Sequence, residues 1–101
     1  MEKRKPHYDL IAAQAIVARD GVKAFTGTAL AGAKVLGLNG EAACRVVTGI
    51  TPAMFYKSMT THLNHAVWQD VYYSPLAYGR IAYIKLTLTA AGKVVIQFKE
   101  K

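Results

Sequence analysis

The chain has 101 residues, with 13 Lys and Arg against 6 Asp and Glu, a formal net charge of +7. That length gives one domain, residues 1–101, with one modest core, and a hydrophobic share of 52% argues for a folded chain over a disordered one. The charge favours polyanionic or acidic partners, no apolar run approaches the ~20 residues of a membrane span, and no signal-type segment follows the basic start, so a cytoplasmic location is expected.

The first half reads as helices. Pro6 and Asp9 precede apolar residues at Leu10, Ala13, Ile16 and Val17, which have helical spacing. Asp9 is the candidate N-cap. Asp20-Gly21 ends this helix, with Gly21 supplying the positive φ that a helix end often needs. Val22 to Phe25 reads as a short extended link. Thr26 or Thr28 caps a second helix through Ala29, Leu30, Ala33 and Leu36, and Gly37 stops it. Asn39 caps a third, with Ala43, Val46, Val47 and Ile50 on one face. Thr51-Pro52 opens one short turn, since proline suits a first helical position. Lys3, Arg4 and Lys5 read as a disordered basic arm. Cys44 is the only cysteine. It admits no internal disulfide and sits where a small buried hydrophobe is expected. His7, His62, His65 and Cys44 form no metal-ligand pattern, so neither a metal nor a cofactor is expected.

The second half reads as strands: Phe55 to Thr61, Val67 to Tyr73, Ile81 to Thr89, and a last one around Val94 to Lys99. Ser74 to Gly79 is the loop between the second and third. His62 and His65 fall in a solvent-facing connection between the first two. In the third strand Ala82, Ile84, Leu86 and Leu88 point one way, and Ile81, Tyr83, Lys85, Thr87 and Thr89 the other. In the last, Val94, Ile96 and Phe98 point inward, and Val95, Gln97 and Lys99 outward. Both polar faces must share one side of the sheet, which requires an odd-length hairpin loop. A three-residue loop, Ala91-Gly92-Lys93, sets Lys85 opposite Lys99 and Tyr83 near Lys101. Helices first and strands last give an α+β fold, an antiparallel twisted sheet in the C-terminal half packed on N-terminal helices.

Two runs do not read as plain core. Phe55-Tyr56-Lys57-Ser58-Met59-Thr60-Thr61 and Trp68-Gln69-Asp70-Val71-Tyr72 carry a lysine, a glutamine, hydroxyls and several aromatics. Such groups bind a phosphate, orient a sugar hydroxyl and stack a base. Taken singly, Lys57 reads as a solvated strand lysine, Gln69 as a surface amide, Tyr83 as a half-buried strand tyrosine and Lys99 as a charge near a C-terminus. One conflict stands out. If Gln69 faces outward, alternation sends Trp68 and Asp70 to the core side, where a carboxylate needs a partner. Either a bulge breaks the alternation, or Asp70 is hydrogen-bonded at the helix–sheet boundary.

FYKSMTT and WQDVY at this spacing, with the start EKRKPHYDL, the YIKL strand and the terminal FKEK, resemble the motility quorum-sensing regulator (MqsR) toxins. These are RNA-cleaving toxins of type II toxin–antitoxin pairs. The resemblance spans nearly the whole chain. It implies a RelE-like fold and a ribosome-independent endoribonuclease that cuts mRNA at GCN-type sites without a metal. It also implies catalytic roles for Lys57, Gln69 and Tyr83. Lys57 and Lys99 would hold the phosphate, Tyr83 would transfer a proton, and Gln69 would position the sugar or the scissile phosphate. Met59 would help form a base pocket, and Tyr56 and Lys85 join the substrate-binding set. Some members carry a histidine near the last hairpin, where this chain has Ala90-Ala91-Gly92. His7 belongs to the family-like start and stacks on an aromatic or caps the first helix.

The partners so implied are mRNA and a cognate zinc-containing antitoxin with a DNA-binding part, through which alone promoter DNA is reached. The antitoxin would add a strand to a sheet edge or wedge against it. A non-catalytic RNA- or antitoxin-binding regulatory module is the alternative, since charge and stacking suffice for it.

Overall fold

Three helices begin where a side chain accepts a backbone N–H, as expected. The computed structural model describes residues 1–101. Asp9 caps α1 (Leu10–Asp20) by accepting from Ala12 N, Thr26 caps α2 (Gly27–Val35) from Ala29 N, and Asn39 caps α3 (Gly40–Thr48) from Ala42 N. Thr26, not Thr28, is thus the cap of the second helix. Gly37, at φ +78°, ends α2 by freeing the chain to turn back. The Gln14 amide donates to the carbonyls of Val47, Thr48 and Ile50, which ties α1 to the end of α3. Val22 to Phe25 is not an extended link. Gly21–Ala24 forms a 3₁₀ turn, after which Phe25 makes a single parallel bridge to Ile96.

The sheet has five antiparallel strands in sequence order: β1 (Glu2–Lys3), β2 (Phe55–Thr60), β3 (Trp68–Pro75), β4 (Ile81–Leu88) and β5 (Val94–Glu100). The three helices cover one face, which makes the fold α+β. One core joins Ala13, Val17, Ala29, Ala33, Ala43 and Val47 of the helices to Tyr72, Ile84, Leu86, Ile96 and Phe98 of the sheet. A β-carbon at Gly32 would run into the Phe98 carbonyl oxygen, so glycine there lets α2 lie directly on β5. Cys44 packs partly buried against this core, and burial pushes its thiol pKa up.

Three further expectations change. The basic start is not a loose arm. Glu2 and Lys3 pair with Met59 and Ser58 as the edge strand β1. β3 runs on through Ser74 and Pro75, so the loop after it is shorter. In the last hairpin the parity holds, but the register lies one pair further out. Leu88 faces Val94, Tyr83 faces Lys99, and Lys85 faces Gln97 rather than Lys99. The five-residue connection Thr89–Lys93 closes through Thr89 N–H to Lys93 O (2.8 Å) and Gly92 N–H to Thr89 O (3.0 Å). This register keeps the two lysine side chains from standing directly opposite, where like charges repel.

The Asp70 conflict is settled without a bulge in β3. Asp70 is fully buried on the helix side. Its carboxylate accepts from His7 N at 3.0 Å and from Tyr8 N at 2.9 Å, at the entry to α1. Tyr8 adds a hydroxyl hydrogen bond to Trp68 O at 2.8 Å. Burial and the neighbouring Asp70 charge push the Tyr72 phenol up to about 12. Charge-assisted bonds of this kind contribute about 1.5–3 kcal/mol each. Asp70→Asn should therefore lower unfolding free energy by about 2 kcal/mol, read as a lower urea midpoint at unchanged m-value. Amide exchange at His7 and Tyr8 should rise in the same variant.

Candidate active site

The face of the sheet turned away from the helices is built from three cross-strand rows. The first holds Tyr73 of β3, Tyr83 of β4 and Lys99 of β5. The second holds Lys57, Val71, Lys85 and Gln97, one from each of β2 to β5. The third begins with Glu2, Met59 and Gln69, and Thr87 lies on β4 just beyond the paired stretch. Lys57, Gln69 and Tyr83 thus share one face, with Met59, Lys85 and Lys99 around them.

A bulge in β2 makes this possible. Phe55 pairs with Tyr72 and Lys57 with Val71, so Tyr56 is the extra residue between them. Phe55 turns inward and meets Tyr72 edge-on at 5.5 Å between ring centroids. Under plain alternation Lys57 would follow Phe55 to the core side. The bulge sends both Tyr56 and Lys57 outward, the kind of re-aiming for which bulges are used near active sites.

Three tyrosine rings run in series across the face. Tyr56 stacks on Tyr73 at 4.7 Å, and Tyr73 tilts against Tyr83 at 5.6 Å. Cations lie over these rings: Lys57 at 5.3 Å from Tyr56, Lys101 at 4.6 Å from Tyr73, and Lys99 and Lys85 at 5.2 and 5.8 Å from Tyr83. Val71 is fully buried yet stands outside the helix-side core, since it forms the apolar floor between Lys57 and Lys85.

The protonation states differ along the face. Lys57 donates to the Glu2 carboxylate at 2.9 Å. That bond raises the Lys57 pKa and lowers that of Glu2. Lys57 is therefore a firm cation. Burial, then the Lys99 and Lys57 charges, lower the pKa of Lys85. Burial and the neighbouring Tyr73 raise that of Tyr83, against the opposing pull of Lys57. So Lys85 is the lysine on this face shifted toward a neutral amine, and Tyr83 holds its proton.

Gln69 is about nine-tenths buried beside Met59, which is half-buried. His7 is on the other side of the sheet, stacked on Trp68 at 5.3 Å, with its Nδ1 at 2.7 Å from Lys3 Nζ. His62 and His65 are exposed in the β2–β3 connection, away from this cluster. No group of three or more His, Cys, Asp and Glu is placed to hold a metal ion, and no helix is long and apolar enough to cross a membrane.

Glu2 and Tyr73 belong to the cluster and went unread in the sequence. Tyr73 had a signal, because it follows Gln69 and Val71 at the two-residue period of a strand. Glu2 had none, since only the pairing of β1 brings it to Lys57. A groove of about 610 Å³ opens beside Tyr83, Lys85 and Lys99, between the sheet and α2.

A family model described as "Motility quorum-sensing regulator, toxin of MqsA" matches residues 5–100. The chain is also similar to the mRNA interferase toxin MqsR of Escherichia coli (strain K12), 41% identical over 101 residues and covering 100% of both chains. With a match over nearly its whole length, the chain belongs to the motility quorum-sensing regulator toxin family.

Proposed function

We propose that this chain is the toxin of a toxin–antitoxin pair and cleaves messenger RNA on the outer face of its sheet. The observation that carries the reading is the convergence of Lys57, Gln69, Tyr83, Lys85 and Lys99, drawn from four strands, on one face away from the core. The relative at 41% identity is named an mRNA interferase, in keeping with it.

The chemistry is transfer of the scissile phosphoryl group to the adjacent 2′-oxygen. The O2′–P bond forms and the P–O5′ bond breaks. A base takes the 2′-hydroxyl proton, an acid returns one to the 5′-oxygen, and cations neutralise the charge gathering on the phosphate. Lys57 and Lys99 supply the cations. Lys85, shifted toward its neutral form, is the proton acceptor. Tyr83, shifted toward its protonated form, is the donor. Gln69 orients the ribose or the phosphate, while Tyr56, Tyr73 and Met59 offer surfaces on which bases stack. The products are a cyclic phosphate, opening to a 3′-phosphate, and a 5′-hydroxyl. The reaction needs no metal in this scheme, and the cut falls at GCN-type sites.

Glu2 is the anion inside this cluster. An incoming phosphate takes over its place on Lys57, so β1 acts as a stand-in for substrate until RNA arrives. The antitoxin carries zinc and a DNA-binding part, and promoter DNA is reached only through it. Both sheet edges are already partly used, by β1 on β2 and by Phe25 against Ile96. An antitoxin therefore pairs with the short β1 or wedges against an edge.

Purified protein and RNA, with and without chelator, test the reading. Chelator-resistant cuts with 5′-hydroxyl ends are expected. Lys57→Ala and Tyr83→Phe should each lower kcat/KM by about 10²–10⁴. Binding without scission, unchanged by Tyr83→Phe, would instead establish a binding module.

The pKa directions set a pH profile. A lowered Lys85 value means the neutral amine builds up below the ordinary 10.5. A raised Tyr83 value means the acid survives above the ordinary 10.0. The kcat/KM profile, which reports free-enzyme groups, should rise with an apparent pKa below 10.5 and fall with one above 10.0. Lys85→Arg should abolish the rise.

A further inference from the structure

The groove beside Tyr83 has an unexplained second wall. On one side stand Tyr83, Lys85, Gln97 and Lys99 of the sheet, and on the other Thr28, Ala31 and Val35 of α2. Its volume of about 610 Å³ falls within the roughly 300–1,000 Å³ typical of small-molecule sites. Small residues of α2 keep it open, and Gly32 fixes the helix close against β5. Beyond the Thr28 hydroxyl the helix wall is apolar and unpartnered, with Val35 73% exposed. The sheet wall carries two lysines and the exposed amide of Gln97, which faces Lys85 across the strand pair.

A flat apolar body with polar edges, tethered to an anion, matches this pair of walls. That describes a nucleobase on its phosphate. The groove also shares Tyr83, Lys85 and Lys99 with the cluster where a phosphate would sit. A strand held there has its neighbouring nucleotide at the mouth. We propose that this groove is a nucleotide subsite, taking the base of one RNA nucleotide that flanks the scissile bond and reading its edge with Gln97.

The subsite rests on the reading of the outer face as an RNA surface. Ala31 and Val35 contribute methyl contacts to the base. Gln97 offers a donor and an acceptor on one amide, as base-edge recognition needs. Lys99 holds the phosphate on the subsite's inner side. Specificity at this position therefore comes from α2 and β5, away from the FYKSMTT and WQDVY runs.

An abasic walk tests it by binding rather than cutting, so its failure is distinct from failure of the nuclease reading. The probe is a fully 2′-O-methylated RNA hexamer spanning a wild-type cut site, or the tightest-binding hexamer if nothing is cut. One base at a time is removed, and Kd is measured for wild type, Ala31→Phe and Gln97→Ala. Ala31 and Gln97 are exposed, so both variants should fold. With wild type, one flanking position should cost about tenfold in Kd when its base is removed, the order expected for loss of one stacked base. In Ala31→Phe that penalty should disappear, and in Gln97→Ala wild-type preference among the four bases at that position should flatten. Penalties that keep the same pattern in both variants would overturn the subsite.

Discussion

The Asp70 carboxylate holds the N-terminal segment to the sheet, and much of the molecule depends on that grip. A buried carboxylate is costly unless hydrogen bonds replace its water. Here the replacement comes from the backbone N–H groups of His7 and Tyr8. Fixing these two residues has effects in both directions along the chain. Downstream, Asp9 is set to cap α1. Upstream, the chain is led alongside β2, where Glu2 and Lys3 become β1. The Glu2 carboxylate then meets Lys57 on the far face of the sheet. One strand thus has two jobs, divided by its pleat. Asp70 and Tyr72 face the helices and organise the fold, while Gln69, Val71 and Tyr73 face outward beneath and beside the cations.

The outer face works by holding like charges close together. Lys57, Lys85, Lys99 and Lys101 lie over or beside the tyrosine rings, and those rings spread the cost through cation–π contact. Glu2 relieves Lys57 alone. The residual strain falls on Lys85, half-buried beside the apolar Val71 and repelled by two neighbouring lysines. That is the environment that turns a lysine toward base chemistry. Tyr83 feels the same burial with the opposite result, because burial disfavours a phenolate. In the proposed scheme, a single patch of low polarity thus separates an acid, Tyr83, from a base, Lys85, two positions apart on one strand.

Much of this was legible in the residues. The strict alternation in Ile81–Thr89 and Val94–Lys99 is strong enough to place Tyr83, Lys85 and Lys99 on one face, because any other choice would expose Ile84, Leu86 and Ile96. The caps were legible for a similar reason, as Asp9 and Asn39 are short acceptors just ahead of apolar helical spacing; for the second helix Thr26 and Thr28 fit equally, and only the fold selects Thr26. The hairpin register was not, since three- and five-residue loops satisfy the same parity and differ only in how Thr89 and Lys93 bond. The β2 bulge was hidden because a bulge is set by pairing with a distant strand, and FYKSMT alone does not reveal its partner. β1 was hidden too. Two lysines and an arginine near a terminus look solvated until Asp70, more than sixty positions away, is known to bind the backbone beyond them. Cap and alternation signals are local, whereas register and edge pairing belong to the folded chain.

The central claim is that RNA lies across the helix-free face and runs on toward α2. Backbone amide shifts in an NMR titration with RNA carrying a 2′-deoxy sugar at the cut position test it most directly. The account predicts changes concentrated at Tyr56–Met59, Gln69–Tyr73, Tyr83–Thr87 and Gln97–Lys99, with a second group at Thr28–Val35. Changes concentrated on α1 and α3, with those strand residues unmoved, would contradict it.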